Sequence, residues 1–187
     1  MSGHELLNIL LEDKPSESLR EREEELFELL PELKKCKGFN QHSSWECHDV
    51  YEHTLRVVDN VPCNLILRLA ALFHDIGMPD TCQVDENGIA DFPGHWIISS
   101  NTFLSFIRRN GLSRALEMPV EFLISFHGLN GDKLPPQVLR YFGVDGIQLL
   151  YELKRADLLA KSEDHQYMFD VYVQHEQQIK QKCCSQC

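Results

Sequence analysis

Apolar residues recur every three or four positions through most of the chain, which is the spacing of amphipathic helices. The clearest stretches are DVYEHTLRVVDNV from residue 49 and NLILRLAALFHD from residue 64. The second is apolar enough to be buried on most of its sides. Similar spacing predicts further helices over 5–11, 17–30, about 95–109, 114–127, 135–142, 146–163 and 165–181. Strand signals are weak outside one short segment, so the pattern predicts an all-α fold.

Proline, glycine and short polar residues indicate where these helices begin and end. Pro15 is expected to end the first helix and Ser16 to act as the N-cap of the second, while Gly77 and Pro79 are expected to end the apolar helix. Residues 81–92 read TCQVDENGIADF, with the turn-forming DENG between two short extended pieces. This segment predicts a small β-hairpin inserted between helices.

Length and composition are those of one globular domain spanning residues 1–187, with 43% hydrophobic and 25% charged residues. The sequence shows neither an internal repeat nor a linker rich in proline, glycine and serine. It has no run of 18 apolar residues, and its start, MSGHELLNILLEDK, lacks the basic region of a secretory signal. These features predict a cytoplasmic protein without a membrane partner.

The net charge of the chain limits the classes of molecule that it is expected to bind. The chain has 18 Lys and Arg against 29 Asp and Glu, and this net charge of -11 argues against binding to long nucleic acids. It leaves open a small phosphorylated substrate held in a local pocket.

The seven cysteines match no disulfide framework and predict reduced thiols. The tail CCSQC could bind a soft metal, although a frayed terminus is more common there. The sequence does not indicate the oligomeric state.

The distribution of histidine and aspartate carries the main chemical signal. Neutral imidazole and carboxylate groups are the usual ligands of divalent ions of intermediate softness, and such groups are costly to bury without a partner. The candidates lie in or next to predicted helices: His53, His74, Asp75, His95, His127 and Asp157. A second His-Asp pair, His48 and Asp49, occurs earlier in the chain. Spacing alone does not decide whether this pair or His74 and Asp75 belongs to the metal site.

Each candidate also has a purely structural interpretation. A lone histidine on an apolar helix is more often a hydrogen-bonded core residue than a metal ligand. Asp75 precedes Ile-Gly and could be a polar helix end. Asp157 could pair with Lys154 or Lys161, which lie three and four positions away on the same helix face.

The segment ALFHDIGMPDT resembles the HDIG signature of the HD-domain metal-dependent phosphohydrolases. Several motifs also follow one another in the order found in that family, over residues 45–165. They are a His in HTL (His53), the His-Asp pair (His74 and Asp75), a His in GH (His95), a His in FHG (His127) and an Asp in RAD (Asp157). Within the family, the chain is most similar to the HD module that follows the catalytic head of bacterial CCA-adding tRNA nucleotidyltransferases. That head is missing, so a free-standing HD domain is expected and tRNA synthesis is not.

The resemblance implies a helical bundle around a central metal site, with an N-terminal extension over 1–38, the HD core over 39–165 and a C-terminal helix and tail over 166–187. It also implies one or two divalent ions, with Mn, Fe, Co, Ni, Mg and Zn as candidates. The implied ligands of the first ion are His53, His74, Asp75 and Asp157. By resemblance to the binuclear members, His95 and His127 would hold a second ion, with Asp75 bridging.

The implied activity is hydrolysis of a small nucleotide or related phosphate ester by metal-activated water, as a phosphomonoesterase or phosphodiesterase. The family signature often continues with Lys, where this chain has Met78. Arg56 and Lys161, predicted on the same helix faces as His53 and Asp157, could supply the missing cation and act with Asp75 in catalysis.

Both cations have simpler interpretations, since Arg56 could pair with Glu52 and Lys161 could be solvated. Trp96 could stack on a substrate base, although an aromatic residue in the core or at its rim is more common.

Two other functions remain open from the sequence. Met78 suggests a non-catalytic sensor that keeps the metal and binds a nucleotide or phosphate. A metal-free structural protein, with the acidic segment 17–30 as its partner surface, is the third hypothesis.

Overall fold

The computed structural model describes residues 1–41, 48–129 and 134–161. Within these ranges it contains ten α-helices, a single 3-10 turn and one two-stranded hairpin, which confirms the predicted all-α fold with its small hairpin. The predicted helix over 165–181 and the CCSQC tail lie outside the described residues. In the described residues, no helix combines the length and the apolar character needed to cross a membrane.

The elements follow the order of the apolar stretches. The helices and strands are α1 (Gly3–Ile9), α2 (Pro15–Glu21), α3 (Glu23–Leu29), α4 (Pro31–Cys36), α5 (Val50–Asn60), α6 (Leu65–Phe73), α7 (Met78–Thr81), β1 (Gln83–Val84), β2 (Ala90–Asp91), α8 (His95–Arg109), α9 (Glu117–Phe126) and α10 (Pro136–Lys161), with a 3-10 turn at Arg114–Leu116 before α9. The strands pair antiparallel, with Gln83 opposite Asp91 and Val84 opposite Ala90.

Two predictions about the N-terminal segment are wrong. Pro15 is the first residue of α2, where a missing N–H costs nothing, and Ser16 therefore lies inside the helix instead of capping it. The Ser16 hydroxyl donates to Asp59 Oδ2 at 2.7 Å and so ties α2 to α5. The predicted helix over 17–30 is two helices, because Arg22 adopts non-helical angles of φ -111 and ψ 30 between α2 and α3.

Side-chain caps define the starts of the two central helices. Asp49 Oδ1 accepts from the Glu52 N–H at 2.7 Å at the start of α5, and Asn64 Oδ1 accepts from the Ile66 N–H at 2.9 Å at the start of α6. The apolar helix ends at Phe73, earlier than predicted, and a turn leads into α7. This shorter helix leaves residues 74 and 75 at its C-terminal end.

Helix α6 occupies the centre of the fold. Its residues 67–73 are all buried, and it packs against α5, α8, α9 and α10. Apart from Leu158, the buried apolar side chains of the described residues form one continuous cluster, to which the N-terminal helices contribute Leu6, Leu19, Leu26 and Leu33. The C-terminal end of α6 therefore lies among neighbouring helices, where side chains from several of them can meet.

Helix α10 changes direction at Gly143, which adopts φ 62 and ψ -166. This conformation suits glycine because it has no Cβ. The break separates the two helices predicted over 135–142 and 146–163. The second part packs against α5 and brings residue 157 to the end of α6.

Candidate metal centre

The six predicted ligands converge at the C-terminal end of α6. They come from five segments of the chain: His53 from the middle of α5, His74 and Asp75 from the turn after α6, His95 from the first position of α8, His127 from the residue after α9, and Asp157 from α10. They form two neighbouring groups, and in each group one ligand atom per residue lies within 4.8 Å of the others. The metal hypothesis required this convergence.

The first group contains His53, His74 and Asp157, and all three side chains are largely buried. His53 Nε2 lies 3.1 Å from Asp157 Oδ1. The ring centroids of His53 and His74 are 5.5 Å apart. Two imidazole nitrogens and a carboxylate oxygen therefore face a common small volume.

The second group contains Asp75, His95 and His127. Asp75 Oδ1 lies 3.4 Å from His95 Nε2 and 3.2 Å from His127 Nε2, and the two Nε2 atoms are 3.3 Å apart. This group is also built from one carboxylate and two imidazoles, and it is the side of the centre that faces a cavity.

Asp75 joins the two groups through its separate oxygens. Oδ2 lies 3.1 Å from His74 Nε2 and 3.8 Å from His53 Nε2, whereas Oδ1 faces His95 and His127. One carboxylate is therefore shared between two sets of ligand atoms, in the position of a bridging group.

Three of the four imidazole rings are oriented by backbone carbonyls. Nδ1 of His74 and Nδ1 of His127 lie 2.8 and 2.7 Å from the carbonyl oxygen three residues earlier, and Nδ1 of His95 lies 2.8 Å from the Phe92 carbonyl oxygen. His74 and His127 follow helix ends, where carbonyls lack an intrahelical partner. Because Nδ1 donates, the neutral rings direct the Nε2 lone pair into the centre, as metal-binding histidines do.

The imidazole nitrogens and carboxylate oxygens of the two groups are suited to binding a divalent cation. His74 Nε2 and Asp157 Oδ1 are buried without a hydrogen-bond partner among the described residues. Neutral imidazole lone pairs and carboxylate oxygens that face one another repel unless a proton or a metal ion lies between them. Nitrogen and oxygen donors of this kind suit Mn, Fe, Co, Ni, Mg and Zn, and the geometry does not select among them.

The carboxylates of the centre stay ionised. Burial raises the pKa of Asp75, but the surrounding His74, His127 and His95 outweigh burial and hold that pKa well below its usual range. Burial likewise opposes ionisation of Asp157, whose pKa is nevertheless lowered, first by Lys161 and then by His53. Two negative charges are thus maintained in a buried site, which favours a bound cation.

The pKa values of the buried histidines shift in different directions. Burial lowers the pKa of His74, but Asp75 and Asp157 outweigh it and raise the pKa to about 9. The pKa of His95 is also raised, because Asp75 overcomes the effect of burial, whereas burial lowers the pKa of His127. Without a metal, a proton is therefore held mainly at His74 and offsets one of the two carboxylate charges.

The structure places one of the two predicted cations, Lys161, against the first group. Lys161 Nζ lies 3.3 Å from Asp157 Oδ2, which is one of the two ion pairs that helical spacing allowed. Arg56 is half-exposed, and its Nε lies 3.5 Å from Glu52 Oε1, as the simpler interpretation expected.

The other residues singled out in the sequence lie in different surroundings. Asp49 caps α5, so the earlier His-Asp pair lies outside the cluster. Met78 is buried, which shows that the position after HDIG points into the core here. Trp96 is 41% exposed, lines the cavity and has its ring centroid 5.4 Å from that of His95.

The cavity beside the second group has a volume of about 750 Å³. His95 and His127 form part of its wall, and the rest includes Phe92, Trp96 and Glu121. Of these, sequence reasoning missed Phe92 and Glu121. Their spacing is that of ordinary loop and helix residues, and no local pattern in the sequence marked them.

Comparisons of the sequence with protein-family models and with curated proteins found no match. The resemblance to HD-domain phosphohydrolases therefore rests on the ordered His and Asp motifs alone.

Proposed function

We propose that this protein is a metal-dependent phosphohydrolase that acts on a small nucleotide or related phosphate ester, as a phosphomonoesterase or phosphodiesterase. The observation that carries the proposal is the position of Asp75, whose two oxygens face two separate groups of His and Asp ligands. Paired metal sites that share a carboxylate are suited to displacement at phosphorus, because both the attacking and the leaving oxygen can be stabilised.

His53, His74, Asp157 and Asp75 Oδ2 would hold one ion, and His95, His127 and Asp75 Oδ1 would hold a second. The family resemblance supports one or two ions. When bound, such ions lower the pKa of a coordinated water and stabilise negative charge on the phosphoryl oxygens.

The overall reaction adds the oxygen of water to phosphorus and breaks the ester P–O bond. One proton of the water ends on the alcohol and the other on the phosphate or stays in solution. The chain's contribution is to hold its ligand atoms in place through the Nδ1 contacts, and to provide Lys161 and Arg56 as cations that can contact substrate phosphate.

The test is hydrolysis by protein stripped of metal and reloaded separately with Mn, Fe, Co, Ni, Mg or Zn. Substrates are p-nitrophenyl phosphate, bis-p-nitrophenyl phosphate and a panel of nucleotides. We expect turnover only with added ion, and a loss of roughly 10²-fold or more in kcat/KM for Asp75→Asn.

The matched control is Asp80→Asn, which removes the same charge five residues later from an exposed carboxylate paired with Lys35. This variant should keep its activity. Equal activity in Asp75→Asn and wild-type protein would overturn the proposal.

A cytoplasmic location is part of the proposal. Cys36, Cys63 and Cys82 are free thiols in the structure, which supports a reducing compartment.

A second candidate function is a metal-containing sensor of nucleotides or phosphate that does not turn over its ligand. Two observations favour it: Met78 is buried in place of the expected cation, and no Lys or Arg is found among the described residues that line the cavity. The sensor predicts a bound metal and a higher Tm with nucleotide, without phosphate release in the assays above.

A further inference from the structure

The cavity beside the second ligand group differs in character from the metal centre. Its wall is largely apolar and aromatic, with Phe92, Trp96, Phe126 and Leu129 among the lining residues. His95 and His127 connect it directly to the Asp75 carboxylate. A phosphate held at the centre would therefore place its ester oxygen, and the alcohol half of the substrate, at the entrance to this cavity.

Glu121 is one of two acidic residues that line the cavity. It is half-buried in α9, and no ion pair forms at its carboxylate within the described parts of the chain. Glu117, one turn earlier on the same helix, is paired, with Oε1 lying 3.3 Å from Arg108 Nε and 3.8 Å from Arg114 Nε. Asp91 is the other acidic residue in the wall.

These observations define what the cavity can hold. Flat rings stack on aromatic side chains such as Trp96, and a carboxylate in the same cavity accepts hydrogen bonds from N–H groups of the ring or of an amino group attached to it. A second anionic group on the substrate would lie in the same cavity as Glu121 and Asp91, where no Lys or Arg is found among the described residues of the wall. Like charges that share a partly buried cavity repel one another more strongly than they would in water.

We infer that the substrate is a monophosphate ester whose alcohol half contains a flat, uncharged ring with N–H donors, and that Glu121 excludes esters carrying further negative charge. This inference rests on the proposed function and specifies its substrate class. Nucleoside monophosphates have the required chemistry, whereas nucleoside diphosphates and triphosphates have the same ring with additional charge.

The experiment compares AMP, ADP and ATP as substrates at equal free metal concentration, with glycerol 3-phosphate as an ester of a ring-free alcohol. We expect kcat/KM for AMP to exceed that for each of the other three by about tenfold or more. In Glu121→Lys the preference for AMP over ADP and ATP should shrink by about tenfold, because the repulsive charge becomes attractive.

The control is Glu28→Lys, which makes the same charge change at an exposed residue outside the cavity wall. It should leave the preference for AMP unchanged. Equal kcat/KM for AMP and ATP in the wild-type protein, or an unchanged preference in Glu121→Lys, would overturn the inference.

A binding measurement separates failure of this inference from failure of the proposed function. Calorimetry with adenosine, AMP and ATP on metal-loaded protein does not depend on turnover. We expect adenosine to bind, Trp96→Ala to weaken its binding by about tenfold, and ATP to bind less tightly than AMP. If nothing is hydrolysed but this order holds, the site is a sensor with the inferred selectivity. If esters are hydrolysed and adenosine does not bind, the hydrolase proposal stands and the inference is wrong.

Discussion

At the scale of single residues, the direction of each imidazole nitrogen decides what the centre can bind. His74, His95 and His127 use Nδ1 on backbone carbonyls and turn Nε2 toward Asp75. Asp75 then divides its two oxygens between the groups. If each group holds one ion, as proposed, the two ions should be removable one at a time.

His127→Gln should remove one equivalent of bound metal and keep the other, because it damages only the group that contains His95. Asp75→Asn should remove both, since both groups use its carboxylate. Metal content by elemental analysis after gel filtration checks this. His48→Gln, a histidine outside the cluster, should match the wild-type protein. Loss of both ions from His127→Gln would contradict two separable sites.

Cysteine reactivity offers a second prediction at this scale. Burial raises the pKa of the Cys36 thiol, and the nearby carboxylate of Asp75 adds to the shift, whereas Cys63 is exposed. A raised pKa leaves less of the reactive thiolate. We expect iodoacetamide at pH 8 to label Cys36 at least about tenfold more slowly than Cys63, as measured by peptide mass spectrometry. In denaturant the two rates should converge, and equal rates in the folded protein would contradict the described burial.

At the scale of elements, the close approach of the turn at Gly77 to α8 positions the second ligand group. The Gly77 N–H donates to Ser99 Oγ at 3.0 Å. A Cβ at residue 77 would meet the His95 carbonyl oxygen and lie 2.8 Å from Ile98 Cβ and 3.0 Å from the Ser99 nitrogen. Glycine therefore allows α8 to approach the turn that carries Asp75.

Gly77→Ala should destabilise the fold by about 1–3 kcal/mol, because backbone atoms of α8 must move. This corresponds to a decrease in Tm of roughly 2–4 °C per kcal/mol for a chain of this size. The same displacement should weaken metal binding through His95. Gly128→Ala is the matched control, since a Cβ there meets nothing within 4 Å. Thermal unfolding followed by circular dichroism distinguishes them, and equal Tm values would contradict the close approach.

At the scale of the whole molecule, the centre links α5, the end of α6, the start of α8, the end of α9 and α10. A cation that binds only when these five segments are assembled stabilises the folded state by linkage. The excess of acidic residues in the chain acts in the same direction, because it favours cation binding.

Removal of metal by a chelator should therefore lower Tm, and readdition should restore it. The stabilisation is about 2.7 kcal/mol when free ion is present at 100 times Kd. Differential scanning calorimetry of wild-type protein and Asp75→Asn checks this. The variant should show no response to chelator, and an equal response in both proteins would place the stabilising ion elsewhere.

The metal-free protein should show a pH dependence that traces to His74. Its pKa rises from 6.5 to about 9 on folding, so its contribution to stability is complete below pH 6.5 and disappears as pH rises through 9. Chemical denaturation of chelated protein should thus show stability falling over this interval more steeply in the wild type than in His74→Gln. Identical pH profiles would contradict the described charge balance.

Local periodicity and short motifs were enough to predict the helical fold, the hairpin over 81–92, the start and end of α8 and the six candidate ligands. The prediction of Ser16 as an N-cap was wrong and the break at Arg22 was missed, because neither segment alone indicates how α2 packs on α5. The position of Asp75 between two ligand groups, and that of Glu121 in the cavity beside them, became visible in the folded chain. These relations join segments up to a hundred residues apart, and they exist only where the end of α6 meets its neighbours.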